Sequence, residues 1–377
     1  MHPEVPLACP QFDEAEAAAL SAVLHSRRWS FGPALTRFER EMAQLCGRRH
    51  GVGVNSGTAA LQIALEALGI GPGDEVLVPA FTFVGSVNAI VRAGAEPVLV
   101  DVDPLSLNID PASAAAAVGP RTRAVLPVHL FGRPAPMAAL GELASRHRLR
   151  IVEDACEAAG ARDAAGPVGS GADVACFAFY PNKPVAVGEG GMLVMDDPDL
   201  ARRARQLRNQ GIDPESGSRL EDRPGLSARL SEWHAALGSV QLARLEQALA
   251  RRAELATLYR RHLAADARIE LPAPEPPGQR IAWFTFPLRL VAAHADGRDA
   301  LLSALRAAGI ACGTYFTPVH WLPYHRGRYR QVPLPVSEDV GRRCLALPLH
   351  GEMDAQTVDR VCTTLLRLLD RLCPSAP

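Results

Sequence analysis

Between about Gly51 and about Asp197, short apolar runs alternate with stretches of helical periodicity. The runs at 75–81, 97–102, 124–130, 150–154, 172–179 and 191–195 are rich in Val, Leu and Ile, which predicts strands buried on both faces. Amphipathic segments lie between them. In 58–68, Leu61, Ala64, Leu65 and Leu68 share one helical face, and Gly69 supplies the stop. Strands alternating with helices predict an α/β fold with a mainly parallel sheet covered on both sides.

Beyond this region the pattern changes. Residues 231–259 read as one long helix with Leu237, Val240, Leu242 and Leu245 buried. Pro272, Pro274, Pro276 and Pro277 then mark a turn-rich stretch. After it come a strand (283–290), a helix (299–308), a proline- and aromatic-rich loop (315–329) and a final helix (354–369). The expected organisation is a large α/β domain over 1–250, including the N-terminal segment, and a smaller C-terminal α+β domain over 251–377.

Composition narrows the function classes. With 48% hydrophobic and 21% charged residues over 377 positions, the chain can bury a sizeable core. A formal net charge of −1 and the lack of a basic run argue against nucleic acid or an anionic membrane surface as partners. The start, MHPEVPLACPQFDEAEAAAL, has neither the basic end nor the apolar stretch of a signal peptide, and no apolar segment is long enough to span a bilayer. A cytoplasmic protein is expected. None of the eight cysteines stands at CxxC spacing, so they read as reduced core residues, with no metal site.

Three features carry chemistry. Asp154, in IVEDACEAAGA, ends an apolar strand, where open α/β sheets bind ligands; alone, it reads more readily as a turn or helix cap. Lys183, in FAFYPNKPVAVGEGG, follows a nearly uncharged strand and precedes a glycine-rich hairpin. A lysine beside such a desolvated strand end suits imine formation, though a surface turn lysine has the same local pattern. NSGTAA (55–60) opens an amphipathic helix with small residues, a setting for a phosphate at the helix N-terminus or for an ordinary cap. Gly51, Gly53 and Gly57 are spaced GxGxxxG, which departs from the dinucleotide fingerprint. Together, a phosphate cradle, a strand-end carboxylate and a strand-end lysine are the contacts pyridoxal 5′-phosphate needs.

The chain resembles the DegT/DnrJ/EryC1/StrS family of sugar aminotransferases over nearly its whole length. The resemblance is carried by VNSGTAAL, GPGDEVLVPAFTFV, GAEPVLVDVDP, PVHLFG, EDACEA, FAFYPNK, GEGGM, RNQG and LSEWHAALG. It implies a fold-type I homodimer that moves an amino group from glutamate or glutamine to a keto-sugar, usually nucleotide-linked, or to a cyclitol ketone. It also implies that Lys183 carries the cofactor covalently and shuttles the proton, and that Asp154 pairs with the pyridine nitrogen. Phe83 matches the residue that stacks on the ring, and Gly57 and Thr58 match the phosphate cradle. Glu157 matches a position near the cofactor's 3′-oxygen that is commonly glutamine. His320 matches a loop position near the sugar, and Arg229 is a candidate for the donor's carboxylate.

The chain departs from the family pattern at three places. Ala178 stands where a serine often contacts the phosphate, and Ser227 where an asparagine often reaches the neighbouring subunit's phosphate. Pro184, Ala186 and Val187 replace a stretch that often carries two threonines. Two rival readings follow: another pyridoxal reaction, such as dehydration or epimerisation, or a non-catalytic binding or regulatory subunit. Family dehydratases generally replace the lysine by histidine, which argues against the first. Retention of Lys183 and Asp154 argues against the second.

Overall fold

The computed structural model describes residues 5–216, 220–221, 223–330 and 332–373. Two helices, α1 (Glu14–Ser26) and α2 (Pro33–Leu45), precede the first strand. Asp13 and Glu16 close α1 with a capping box. The N-cap of α2 is Gly32, which has no side chain to offer. Glu232, far along the chain, accepts from the N–H groups of Gly32, Ala34 and Leu35, each at 2.9 Å.

Seven strands form the main sheet: β1 (His50–Val54), β2 (Glu75–Pro79), β3 (Glu96–Val100), β4 (Thr122–Val125), β5 (Arg150–Asp154), β6 (Val174–Ala178) and β7 (Gly191–Met195). Their spatial order is β1-β7-β6-β5-β4-β2-β3. Only β7 runs against its neighbours β1 and β6; the other pairs are parallel. The connecting helices are α3 (Gly57–Ala67), α4 (Val84–Arg92), α5 (Pro111–Ala117), α6 (Met137–His147) and α7 (Pro198–Leu207). Every residue of β2 and β7 is buried, as continuous apolar runs inside a two-sided sheet must be.

Among the differences from the pattern read along the chain, two bear on how the main sheet is packed. Strand β1 is unannounced because its sequence, HGVGV, is interrupted by glycines. Gly51 serves packing: a Cβ there would lie 2.2 Å from the carbonyl oxygen of Glu39, so α2 can rest on the strand only where no side chain intervenes. The long helix expected over 231–259 is broken into α8 (Glu232–Ala243) and α9 (Leu245–Leu263) at Arg244. Of the four positions expected to be buried only Leu245 is; Leu237, Val240 and Leu242 are half-buried. The inner face of α8 is instead Ala235, Ala236, Gly238 and Ser239. Small residues are required there because the Phe38 ring would stand 2.5 Å from a Cβ on Gly238.

Beyond α8, a three-stranded antiparallel sheet of β8 (Ile269–Glu270), β9 (Phe286–Leu290) and β10 (Cys344–Leu347) packs with α10 (Arg298–Ala307), α11 (Pro335–Arg343) and α12 (Ala355–Leu372). Leu245 and Leu249 of α9 belong to the core beneath the main sheet, whereas Leu255, Tyr259 and Leu263 belong to the core around the small one. Asp101, just past β3, ties the two regions together by accepting from the N–H groups of Val336 and Ser337 at 2.9 and 2.7 Å. Among the described residues no helix is long and apolar enough to cross a membrane.

Candidate active site

A cavity of about 530 Å³ opens at the carboxyl ends of β2, β5 and β6, within the size range of small-ligand sites (roughly 300–1,000 Å³). The main sheet supplies its floor and one wall. The opposite wall comes from Phe284 and the segment Thr314, Tyr315 and Phe316.

Asp154, the last residue of β5, is 5% exposed. Its Oδ1 accepts from the N–H of Cys156 at 3.1 Å, and its Oδ2 accepts from the Ser86 hydroxyl at 2.6 Å. The Cys156 thiol is a further side-chain hydrogen-bond partner, and the carboxylate retains acceptor capacity beyond these donors. Burial, reinforced by the Asp154 charge, pushes the Cys156 thiol well above the usual range, so it stays neutral.

Lys183 sits in the turn after β6, with its N–H bonded to the carbonyl of Tyr180 at 2.9 Å. It is the only lysine among the chain's 40 Lys and Arg residues. Its Nζ lies 3.7 Å from Glu157 Oε1 and 3.9 Å from the centroid of the Phe284 ring. Glu157 is held by the N–H of Phe131, which donates to Oε2 at 2.8 Å. Burial raises the Glu157 carboxyl above the usual carboxylate range, and the Lys183 ammonium and the Phe131 N–H pull against it.

Gly57 and Thr58 line the cavity at the start of α3, where backbone N–H groups have no acceptor within the helix. A Cβ on Gly57 would lie 2.7 Å from both Ala178 Cβ and Cys156 Sγ, so the main chain is bared only because this position is glycine. Phe83, the N-cap of α4, projects its ring into the cavity and is 56% exposed. The cavity thus offers an acceptor pair at a strand end, an amine, an anion-compatible helix terminus and an open aromatic face.

Gly57, Thr58, Phe83, Asp154, Glu157 and Lys183 therefore meet in one cavity, while three other residues singled out in the sequence do not line it. Ser227 pairs through its backbone with Asn209, and Arg229 donates to Asn209 Oδ1 at 3.1 Å. His320 bonds Glu338 at 3.2 Å. The sequence reading also passed over Ser86 and most of the opposite wall. Phe131, Phe316, Tyr315 and Phe284 form a run of nearly parallel rings with successive centroids 5.9, 4.9 and 5.7 Å apart. The aromatic loop is visible as composition, but nothing local in it announces that Tyr315 and Phe316 line the same cavity as Lys183.

The sequence profile of the DegT/DnrJ/EryC1/StrS aminotransferase family matches residues 10–366. The chain is 42% identical to dTDP-3-amino-3,4,6-trideoxy-alpha-D-glucose transaminase of Streptomyces venezuelae, over 94% of this chain and 92% of that one. It is 37% identical to GDP-perosamine synthase of Caulobacter vibrioides, over 97% and 99% of the two chains. The crystal structure of DesV from S. venezuelae, in complex with a ketimine intermediate, superposes with a TM-score of 0.90 at 40% identity, covering 98% and 99% of the two chains. The fold is that of the fold-type I pyridoxal-phosphate-dependent transferases.

Proposed function

The chain belongs to the DegT/DnrJ/EryC1/StrS aminotransferase family, and we propose that it uses pyridoxal 5′-phosphate, carried on Lys183, to move an amino group from glutamate or glutamine to the keto group of a nucleotide-linked sugar. A cyclitol ketone is the alternative acceptor. The observation that carries this reading is the placement of the only lysine. A chain that uses arginine at every other basic position keeps one primary side-chain amine, and it stands inside the cavity beside a buried carboxyl. Arginine cannot form an imine, so lysine is retained where that chemistry is needed.

The residues present fit the cofactor. The Asp154 carboxylate retains acceptor capacity for a ring N–H, and the bared main chain at Gly57 and Thr58 suits a phosphate. The Phe83 face is free to stack. When bound, the cofactor supplies an electron sink that makes the donor's α-proton acidic.

The protein's own part is positioning and proton transfer. Lys183 Nζ takes the α-proton of the amino donor and, in the second half of a ping-pong cycle, returns a proton to the acceptor carbon. Glu157 holds the ammonium form of Lys183 and is placed to receive its proton when the amine is needed. The aromatic wall keeps water from the reacting carbons. Ser227 and Arg229 lie outside their own chain's cavity, and we assign both to the cavity of a second copy in a cytoplasmic homodimer. His320 is assigned to the sugar, on the loop that reaches the cavity through Tyr315 and Phe316.

The test is the absorbance spectrum with added pyridoxal 5′-phosphate, before and after L-glutamate, followed by borohydride reduction and mass analysis. A visible band that glutamate bleaches, and a reduced adduct on Lys183, are expected. A band that neither glutamate nor glutamine changes would leave the cofactor and remove the transaminase reading. No band and no adduct would remove both.

A further inference from the structure

Helix α4 begins at the cavity, and its first turn carries two residues that face different parts of it. Phe83, at the N-cap, offers its ring to the open space. Ser86, one turn on, is 1% exposed and points the other way, onto Asp154. Gly85 between them permits this arrangement. A Cβ there would stand 2.9 Å from the Phe83 ring and 3.1 Å from Thr58 Oγ1.

The direction of the bonds follows from proton counting. An ionised Asp154 has no proton to give, so at 2.6 Å the Ser86 hydroxyl donates to Oδ2. Its one proton is then spent. The Thr82 hydroxyl, 3.2 Å from Ser86 Oγ and itself 1% exposed, must donate to Ser86. Thr82, Ser86 and Asp154 thus form a directed chain of two bonds ending on the carboxylate. With the Cys156 N–H on Oδ1, the carboxylate is fixed from both sides.

We propose that Ser86 is a positioning residue for the transamination, which sets the plane of the Asp154 carboxylate and keeps its negative charge, so that a proton shared with the cofactor's ring nitrogen resides on the nitrogen. This rests on the cofactor reading above. Donors to the charged form of an acid favour that form, and removing one moves the shared proton toward the carboxylate. Because Phe83 and Ser86 share a single helical turn, the ring's face contact and its counter-ion are set by one rigid element.

The experiment compares the wild type with S86A, S86V and S86T, each loaded with cofactor labelled with ¹⁵N at the ring nitrogen. Threonine and valine have the same shape and differ in the hydroxyl, so that pair decides the matter if the alanine variant folds poorly. In the wild type and S86T the ¹⁵N shift should be that of a protonated ring. In S86A and S86V it should move toward the unprotonated value. The glutamate half-reaction should then slow roughly ten- to hundredfold, the scale of one hydrogen bond to a charged group. Wild-type shifts and rates in S86V would overturn the role of Ser86 and leave the cofactor reading standing. Absence of any cofactor signal in the wild type would overturn the two together.

Discussion

Lys183 Nζ and Glu157 Oε1 are 3.7 Å apart, with side chains 12% and 7% exposed. A charge pair this enclosed depends on both members, since removing one leaves the other without compensation. Glu157 is also the acid whose neutral form burial favours, which makes the pair a place where a proton can change hands.

Replacing Glu157 by Gln keeps the acceptor for the Phe131 N–H and removes the partner of the ammonium. Loading with pyridoxal 5′-phosphate at neutral pH, followed by quenching with borohydride, should trap the Lys183 adduct roughly tenfold more slowly than in the wild type, less than the 10²–10⁴-fold of a fully lost base because glutamine is the residue commonly found at this position. Equal trapping rates would show that Glu157 takes no proton from Lys183.

Lys183→Ala should lower turnover by more than about 10⁴-fold, because it removes both the covalent attachment and the proton carrier. Asp154→Ala should lower it by roughly 10²–10³-fold, the scale of losing a preorganised charge. Both variants should melt as cooperatively as the wild type by circular dichroism. Near-normal turnover in either one would cancel its assigned role.

Gly57→Ala would put a methyl group 2.7 Å from both Ala178 Cβ and Cys156 Sγ. The start of α3 must then shift, and with it the N–H groups assigned to the phosphate. Equilibrium titration should show at least about a tenfold weaker Kd for pyridoxal 5′-phosphate, with a smaller effect on pyridoxal, which lacks the phosphate. A parallel loss for both ligands would place the phosphate elsewhere.

Glu232→Ala would strip α2 of the acceptor for three N–H groups. With Glu232 only 2% exposed, the expected loss is about 2–4 kcal/mol, read as a lower urea midpoint at unchanged slope. Gln should recover part of it through its single oxygen.

His325 is buried between two partners, Tyr329 OH at 2.6 Å and Asn88 Oδ1 at 3.1 Å. The amide oxygen can only accept, so Nε2 carries the proton and Nδ1 accepts from the tyrosine. Burial, with Arg328 adding to it, lowers the imidazole below 6.5. The unfolded chain therefore binds the proton first as pH falls. The stability that His325 confers is complete above 6.5 and is lost as pH drops from there through the lowered folded value. A His325→Gln variant should be less stable at neutral pH but show a shallower decline in Tm toward about pH 5. An unchanged decline would assign the acid sensitivity to other groups.

The chemistry of the floor was legible and that of the roof was not, for a physical reason. The bounds of β5 and β7 follow from unbroken apolar runs, and Asp154 and Lys183 stand next to such runs, where a strand end marks a site. Strand β1 was hidden because Gly51 is spent on contact with α2, a demand made by another element. The same holds for Ser86, whose partner Asp154 is 68 residues away, and for Phe284, whose ring meets Lys183 and Tyr315 only after the two cores have assembled. Local periodicity records what a residue does to its own segment. It does not record what a distant segment does to it.

A chain with one lysine is also a chain with one address. Cross-linkers, acylating reagents and resins that seek side-chain amines find no harmless target on its surface, since the sole amine of that kind lies within the cavity. Coupling through Lys183 would silence whatever protein it captured, whereas affinity capture would not. The same scarcity lets a single mass increment on the intact protein be assigned between Lys183 and the α-amine without labelling a second side chain.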